Sequence, residues 1–278
     1  MSYLRIAISS DNHFDINHVN ADDVVAPQVR YLREQGVALY VNTGDTYNDF
    51  RKTRKYFHTL QLVAGDSFDV RFLAGNHDML RGADYKTIQG LQDPLYLHER
   101  SFVPPASPET VIVGNNGWYD YSFVGPDAVI HPEYYWHWKK AFWVDSTIDQ
   151  PGSDQERMEH ELGYMRIFLR AHVQTGQKVL FVSHFVPEVR LLPPAMLRDP
   201  KGEKLAAMLG SQRMGELLQE FHVDAAAFGH WHRRDEPRTI GSTTFYHRPV
   251  GYGTKRRAEW VTDDFMTEWQ NTLTVIDL

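Results

Sequence analysis

The opening third of the chain most tightly constrains the fold, because apolar runs and helical spacings alternate there with a polar cluster after each run. Residues 4–9 are rich in β-formers and break at Ser10-Asp11-Asn12-His13. Residues 22–35 have helical spacing through Val25, Val29 and Leu32 and stop at Gly36, a residue suited to a helix terminus. Residues 37–42 form a second apolar run, followed by Thr43-Gly44-Asp45. Another helical stretch, 49–64, leads into residues 68–74 and then Gly75-Asn76-His77-Asp78. The order strand, helix, strand, helix, strand predicts crossover connections and a largely parallel sheet, with the polar clusters at its C-terminal edge.

The middle of the chain is less regular. Pro104-Pro105 and Pro108 mark a loop, and residues 110–113 and 118–124 read as strands around Gly114-Asn115-Asn116-Gly117. An aromatic stretch, Tyr134-Tyr135-Trp136-His137-Trp138, runs on to Phe142-Trp143. Residues 155–174 read as a helix with Met158, Leu162, Met165 and Leu169 on one side, and 211–221 as another. Apolar strands at 178–183 and 224–228 deliver His184 and Gly229-His230-Trp231-His232, and 243–252 and 272–276 have strand character. No repeat, low-complexity segment or linker is evident, and the polar clusters span positions 11 to 232. A single domain over 1–278 is therefore expected, with an aromatic-rich insertion or lid at about 131–145.

Composition narrows the chemistry. The chain has 278 residues and no cysteine, so metal binding would run through oxygen and nitrogen donors alone. A net charge of −7 argues against general nucleic-acid binding, which wants a basic face, but it leaves room for a small anionic substrate. The N-terminal residues lack a signal-like apolar stretch and no segment is apolar enough to span a bilayer, so a cytoplasmic setting is expected. Oligomeric state is left open.

The clusters supply carboxylate, amide and imidazole donors in numbers that suit two metal ions. Asp11 and His13 lie two apart, as do His230 and His232, a spacing that puts both side chains on one side of an extended segment. Asp45 is suited to bridge two ions through its two oxygens, and Asn76 offers a neutral amide oxygen. Glycine stands before the donors at positions 44, 75 and 229, where tight turns and close backbone approach are wanted. Each piece alone is a common turn or cap; the ordered set of five is what points to an enzyme.

That ordered set, Asp-x-His, Gly-Asp, Gly-Asn-His-Asp, His and Gly-His-x-His over residues 9–232, resembles the calcineurin-like metallophosphoesterase superfamily, with a bacterial phosphodiesterase-like opening at Ser10-Asp11-Asn12-His13-Phe14-Asp15. The resemblance implies an α/β (α+β) fold of four layers, αββα, in which two packed mixed β-sheets are flanked by helices. It implies Asp11, His13 and His232 on one metal ion, Asn76, His184 and His230 on a second, Asp45 bridging both, and His77 beside the substrate phosphate, the candidate catalytic residue that donates a proton to the leaving group or stabilises its charge. Manganese, iron or zinc suits such mixed donors. A water shared by the two ions would supply the hydroxide that attacks phosphorus. The expected substrate is a small phosphoester, a diester ahead of a monoester, with a nuclease or a non-catalytic scaffold as the alternatives. Protein phosphatases of the superfamily continue Gly-Asp-x-x-Asp-Arg-Gly. Here Asn48 replaces the aspartate that pairs with the catalytic histidine and Asp49 replaces a phosphate-binding arginine, which argues against that branch. Within the aromatic stretch, Lys139 and Lys140 are expected to contact phosphate.

Overall fold

The computed structural model describes residues 3–278. Its strands are β1 (Arg5–Ser9), β2 (Leu39–Asn42), β3 (Asp69–Phe72), β4 (Arg100–Phe102), β5 (Thr110–Gly114), β6 (Lys178–Val182), β7 (Ala225–Ala227), β8 (Asp235–Ile240), β9 (Thr243–His247) and β10 (Thr274–Asp277). The helices are α1 (Ala21–Glu34), α2 (Phe50–Ala64), α3 (Tyr85–Gly90), α4 (Pro126–Ile130) and α5 (Glu133–Phe142), then α6 (Asp154–Val173), α7 (Pro194–Arg198), α8 (Pro200–Ala207), α9 (Gln212–Glu220) and α10 (Phe265–Thr272).

Two mixed sheets form, in the orders β10-β1-β2-β3 and β4-β5-β6-β7-β9-β8. In the first, β1, β2 and β3 run parallel and β10 closes antiparallel on β1. In the second, β5, β6, β7 and β9 run parallel between antiparallel edge strands. Register explains why the sheets face each other. Ile6 pairs with Leu39 and Ile8 with Val41, so these four point the same way. They pack against Ile112, Leu180, Val182, Ala225 and Ala227 from the second sheet, burying one apolar layer between the two. Alternate residues face outward: Ala7, Tyr40, Val70 and Phe72 toward α1 and α2, and Val111, Val179 and Phe181 toward α6 and α9. Strands covered on both faces read as continuous apolar runs, which is why the chain showed runs where a half-exposed sheet would show alternation. The expected helix–sheet–sheet–helix architecture is present.

The segment 118–124 departs from the strand expected of it. Trp118, Tyr119 and Tyr121 are all buried, without the alternation of a strand, and Tyr121 has a left-handed φ of 66°. Trp118 and Tyr121 instead point their polar tips at Asp154, at 2.8 and 2.5 Å. Aromatic β-propensity reflects burial, and here a loop supplies the burial. The aromatic stretch after it forms α5. Lys139 of this helix is buried in an ion pair with Asp154 at 2.6 Å, so the phosphate contact expected of Lys139 is replaced by an anchoring role. Tyr135 is also buried and donates its hydroxyl to Glu203. With those anchors in place, α5 leaves Tyr134, Trp136 and Phe142 exposed. Among the described residues no helix is long and apolar enough to cross a membrane.

Candidate metal centre

All eight positions singled out in the sequence lie in loops that follow parallel strands, and the two sheets bring those loops together. β1 leads to Asp11 and His13, β2 to Asp45, and β3 to Asn76 and His77; β6 and β7 lead to His184 and to His230 with His232. The join is backbone-mediated. Asp11 N–H donates to the Gly44 carbonyl at 2.9 Å and Gly229 N–H to that of His184 at 3.0 Å. Asn116, after β5, accepts from Ala74 N–H at 2.9 Å, while its carbonyl accepts from His184 N–H at 3.0 Å.

The donor atoms form two groups that meet at Asp45. In one, Nε2 of His232 lies 3.2 Å from Asp11 Oδ1 and 3.1 Å from Nε2 of His13. In the other, Nε2 of His184 lies 3.1 Å from Asn76 Oδ1, with His230 close by. Asp45 Oδ2 stands between them, 3.7 Å from Nε2 of His13 and 3.4 Å from Nε2 of His184. Among the described residues, Asp11, His13 and His232 form one set of mutually close donors, and Asp45, His184 and His230 another.

Hydrogen bonds at the far side of the His184, His232 and His230 rings decide which nitrogen faces inward. His184 donates Nδ1–H to the Thr43 carbonyl at 3.0 Å, which turns Nε2 toward the centre. His232 donates Nδ1–H to Glu259 at 2.8 Å, again leaving Nε2 inward. His230 donates from Nε2 to the Met208 carbonyl at 3.1 Å, so its Nδ1 faces the group. The inward nitrogens and the carboxylate oxygens therefore converge, and such an array calls for positive charge, as protons or as cations, between its donors. Charge balance agrees. Burial works against ionisation of Asp11 and Asp45, but the neighbouring imidazoles outweigh it and hold both carboxyls well below the usual range. Burial would also lower His184 and His232, yet Asp45 raises the first to about 9, while Asp11 and Glu259 raise the second to about 10. Each half thus attracts positive charge, and its donor set fits one metal ion.

The backbone is bent to make this possible. Asp11, His13, Asp45 and His230 all have φ between 45° and 68°, a region uncommon for residues with a Cβ and frequent at functional sites. Gly75 has no substitute: a Cβ there would stand 2.1 Å from Asp45 Oδ1. Asp78 braces the same loops by accepting from the backbone N–H groups of Asp45, Thr46, Tyr47 and Gly75 at 2.7 to 3.1 Å.

His77 sits at the margin. Its backbone N–H donates to Asp45 Oδ1 at 2.8 Å and its Nδ1 contacts Asn48 Oδ1 at 2.8 Å. Because that amide oxygen only accepts, Nδ1 carries the proton. Asn48 thus orients the ring without adding charge. Asp49 caps α2, accepting from Arg51 N–H at 2.9 Å. Asp15 pairs with Lys52 at 2.8 Å and accepts from Asn48 N–H at 3.1 Å, so it steadies the loop that holds His77.

Four residues near the centre carried no sequence signal: Glu259 behind His232, Asp145 behind Asn76, Met208 behind His230, and Tyr252. The Tyr252 ring lies 4.5 Å from those of His13 and His232, and its hydroxyl 3.3 Å from Nε2 of His77. A further cluster of His98, Glu99 and Glu161 does not suit a metal ion. His98 accepts Asn116 N–H at Nδ1 and donates Nε2–H to Gln89 at 2.6 Å, which leaves no lone pair free.

Packed mixed sheets with convergent aspartate, asparagine and histidine donors define the class: an αββα protein with a candidate dinuclear metal centre. Residues 4–234 match the family model for calcineurin-like phosphoesterases, and the chain belongs to that family. The family implies a dimetal centre and metal-dependent phosphoester hydrolysis. Among solved structures, the chain is similar to a phosphopantetheinyl hydrolase from Mycobacterium tuberculosis, at 14% identity over 99% of this chain and 96% of that one, with a TM-score of 0.64. It is also similar to a dimetal phosphatase from Danio rerio, at 15% identity over 89% of this chain and 87% of that one, with a TM-score of 0.53. No curated protein matches the chain in sequence.

Proposed function

We propose that the protein hydrolyses small phosphodiesters at a dinuclear centre. Asp11, His13 and His232 would hold one ion, Asn76, His184 and His230 the other, and Asp45 both. The observation that carries this reading is the position of Asp45, whose Oδ2 lies within 3.7 Å of inward-facing nitrogens from both groups. Two bound cations, for which manganese, iron or zinc suit these donors, would activate a water and offset the charge of the phosphate.

The remaining work falls to the chain's own residues. His77 carries a proton on Nδ1 toward Asn48 and holds Nε2 at the margin of the centre, 3.3 Å from the Tyr252 hydroxyl, where a protonated ring would deliver its Nε2 proton to the departing alkoxide oxygen. We read residues 131–145 as a lid within a single domain, since both sheets contribute to one centre. Trp143 lies 6.5 Å from His230, and Trp138 and Phe142 continue the aromatic series outward at 5.8 and 5.9 Å. Such rings offer stacking area for an organic group on the ester.

Purified protein loaded with manganese should turn over bis-p-nitrophenyl phosphate faster than p-nitrophenyl phosphate and should leave duplex DNA intact. Asp45→Ala should lose bound metal. His77→Ala should keep it and lose turnover, most severely for poor leaving groups, by about 100-fold or more. Full activity of His77→Ala on a poor leaving group would overturn its assignment, and DNA cleavage would favour the nuclease alternative.

A further inference from the structure

Asp145 is 1% exposed, lies in the turn after α5, and among the described residues forms no ion pair. The nearby Lys139 is committed to Asp154. A carboxylate is not left in such surroundings without a structural or functional return. Its two oxygens have separate tasks. Oδ1 accepts from Asn76 Nδ2 at 2.7 Å, and Oδ2 accepts from Trp143 Nε1 at 2.9 Å.

The first contact settles a choice that the Asn76 amide would otherwise be free to make. His184 gives Nδ1–H to Thr43, and its Nε2 lies 3.1 Å from Asn76 Oδ1. An Asn76 turned by 180° would present its NH2 to Nε2 of His184 in place of its oxygen, leaving a cation there no donor from Asn76. The same turn would set the Asn76 oxygen against Asp145, acceptor against acceptor. Asp145 therefore opposes the orientation in which Asn76 offers the second half of the centre no oxygen.

We propose that Asp145 is a positioning residue for the second metal ion, holding the Asn76 oxygen toward His184 and, through Trp143, tying that orientation to the aromatic segment. This rests on the reading of Asn76 and His184 as metal ligands. Loss of a hydrogen-bonding partner behind a metal ligand typically weakens binding 10- to 100-fold. The geometry confines the loss to one of the two ions.

The test is manganese titration of the metal-free protein, followed by calorimetry and by electron paramagnetic resonance. The wild type should bind two ions per chain. Asp145→Ala should bind the first with unchanged affinity and the second 10- to 100-fold more weakly. Asp145→Asn is the conservative companion. Its single oxygen must choose between Asn76 and Trp143, and an intermediate loss at the second ion is expected. Adding Trp143→Phe to Asp145→Asn frees that oxygen for Asn76 and should restore part of the affinity. Wild-type affinity for both ions in the Asp145 variants overturns the proposal, and so does an equal weakening of both ions, which marks a merely structural role. A wild type that binds no manganese overturns the metal-centre reading itself, an outcome distinct from the other two.

Discussion

Lys139 separates two accounts of the aromatic segment. If its ammonium met substrate phosphate, Lys139→Met would raise KM and leave stability untouched. In the structure its side chain is 6% exposed and its Nζ lies 2.6 Å from Asp154, itself 1% exposed. Breaking a buried pair by removing one partner costs about 3–5 kcal/mol, because the other charge is left behind. Asp154 keeps three donors, Trp118, Tyr121 and Gln150, which places the expected loss at the lower end, about 3 kcal/mol. Methionine preserves the packing of the lysine stem, so the loss isolates the charge.

At about 2–3 °C per kcal/mol for a chain of this size, Tm should fall by about 6–9 °C. The sign of the pH dependence follows from Asp154. Burial would raise its carboxyl, but Lys139 outweighs that and holds it below its ordinary range. The pair's contribution is therefore present above the unfolded carboxylate pKa and is lost as pH falls through the folded value. The gap between wild-type and variant melting curves should narrow below about pH 4. Calorimetric scans at pH 7 and at acid pH measure both effects. A variant with unchanged Tm and a raised KM would refute the buried-pair argument and restore the phosphate contact.

Two further outcomes follow from residues outside the sequence motifs. Glu259→Ala removes the partner of His232 Nδ1 and should weaken manganese binding about 10- to 100-fold, read by calorimetric titration; unchanged affinity would deny Glu259 any part in orienting the ligand. Glu99 is raised to about 8, by burial first and by Glu161 second, so stability that is full below its unfolded pKa is lost as pH rises through 8. Glu99→Gln should remove that loss and gain about 1–2 kcal/mol at pH 9 by urea denaturation, a figure reduced for the water that still reaches the group. A parallel pH profile for variant and wild type would contradict it.

What the sequence revealed and concealed divides along physical lines. The proposed ligands were legible because each follows a strand buried on both faces, and such strands announce themselves as apolar runs ending in a polar break. β4 and β8 were missed for the opposite reason: they are edge strands, and β8 is largely exposed and carries Pro237 with the charged Asp235, Glu236 and Arg238. Residues 118–124 misled because their aromatic side chains are buried by a loop. Asp145, Tyr252 and Glu259 reach the centre from segments with no motif of their own. Their roles exist only as contacts across the fold, and no local pattern encodes those.

The centre also shows why its supporting residues matter as much as its donors. Left-handed backbone at Asp11, His13, Asp45 and His230 costs about 1–3 kcal/mol at each position. Nothing in the donor set relieves that strain. The relief comes from behind: Asp78 gathers four backbone N–H groups, while Thr43, Met208, Glu259 and Asp145 each fix the far side of a donor side chain. An ion that bound only the folded chain would stabilise it by mass action. A donor set already held in place by its supports loses less to ordering when an ion binds than one that must first be gathered. The rigidity that costs backbone strain in the bare chain is the source of the site's affinity.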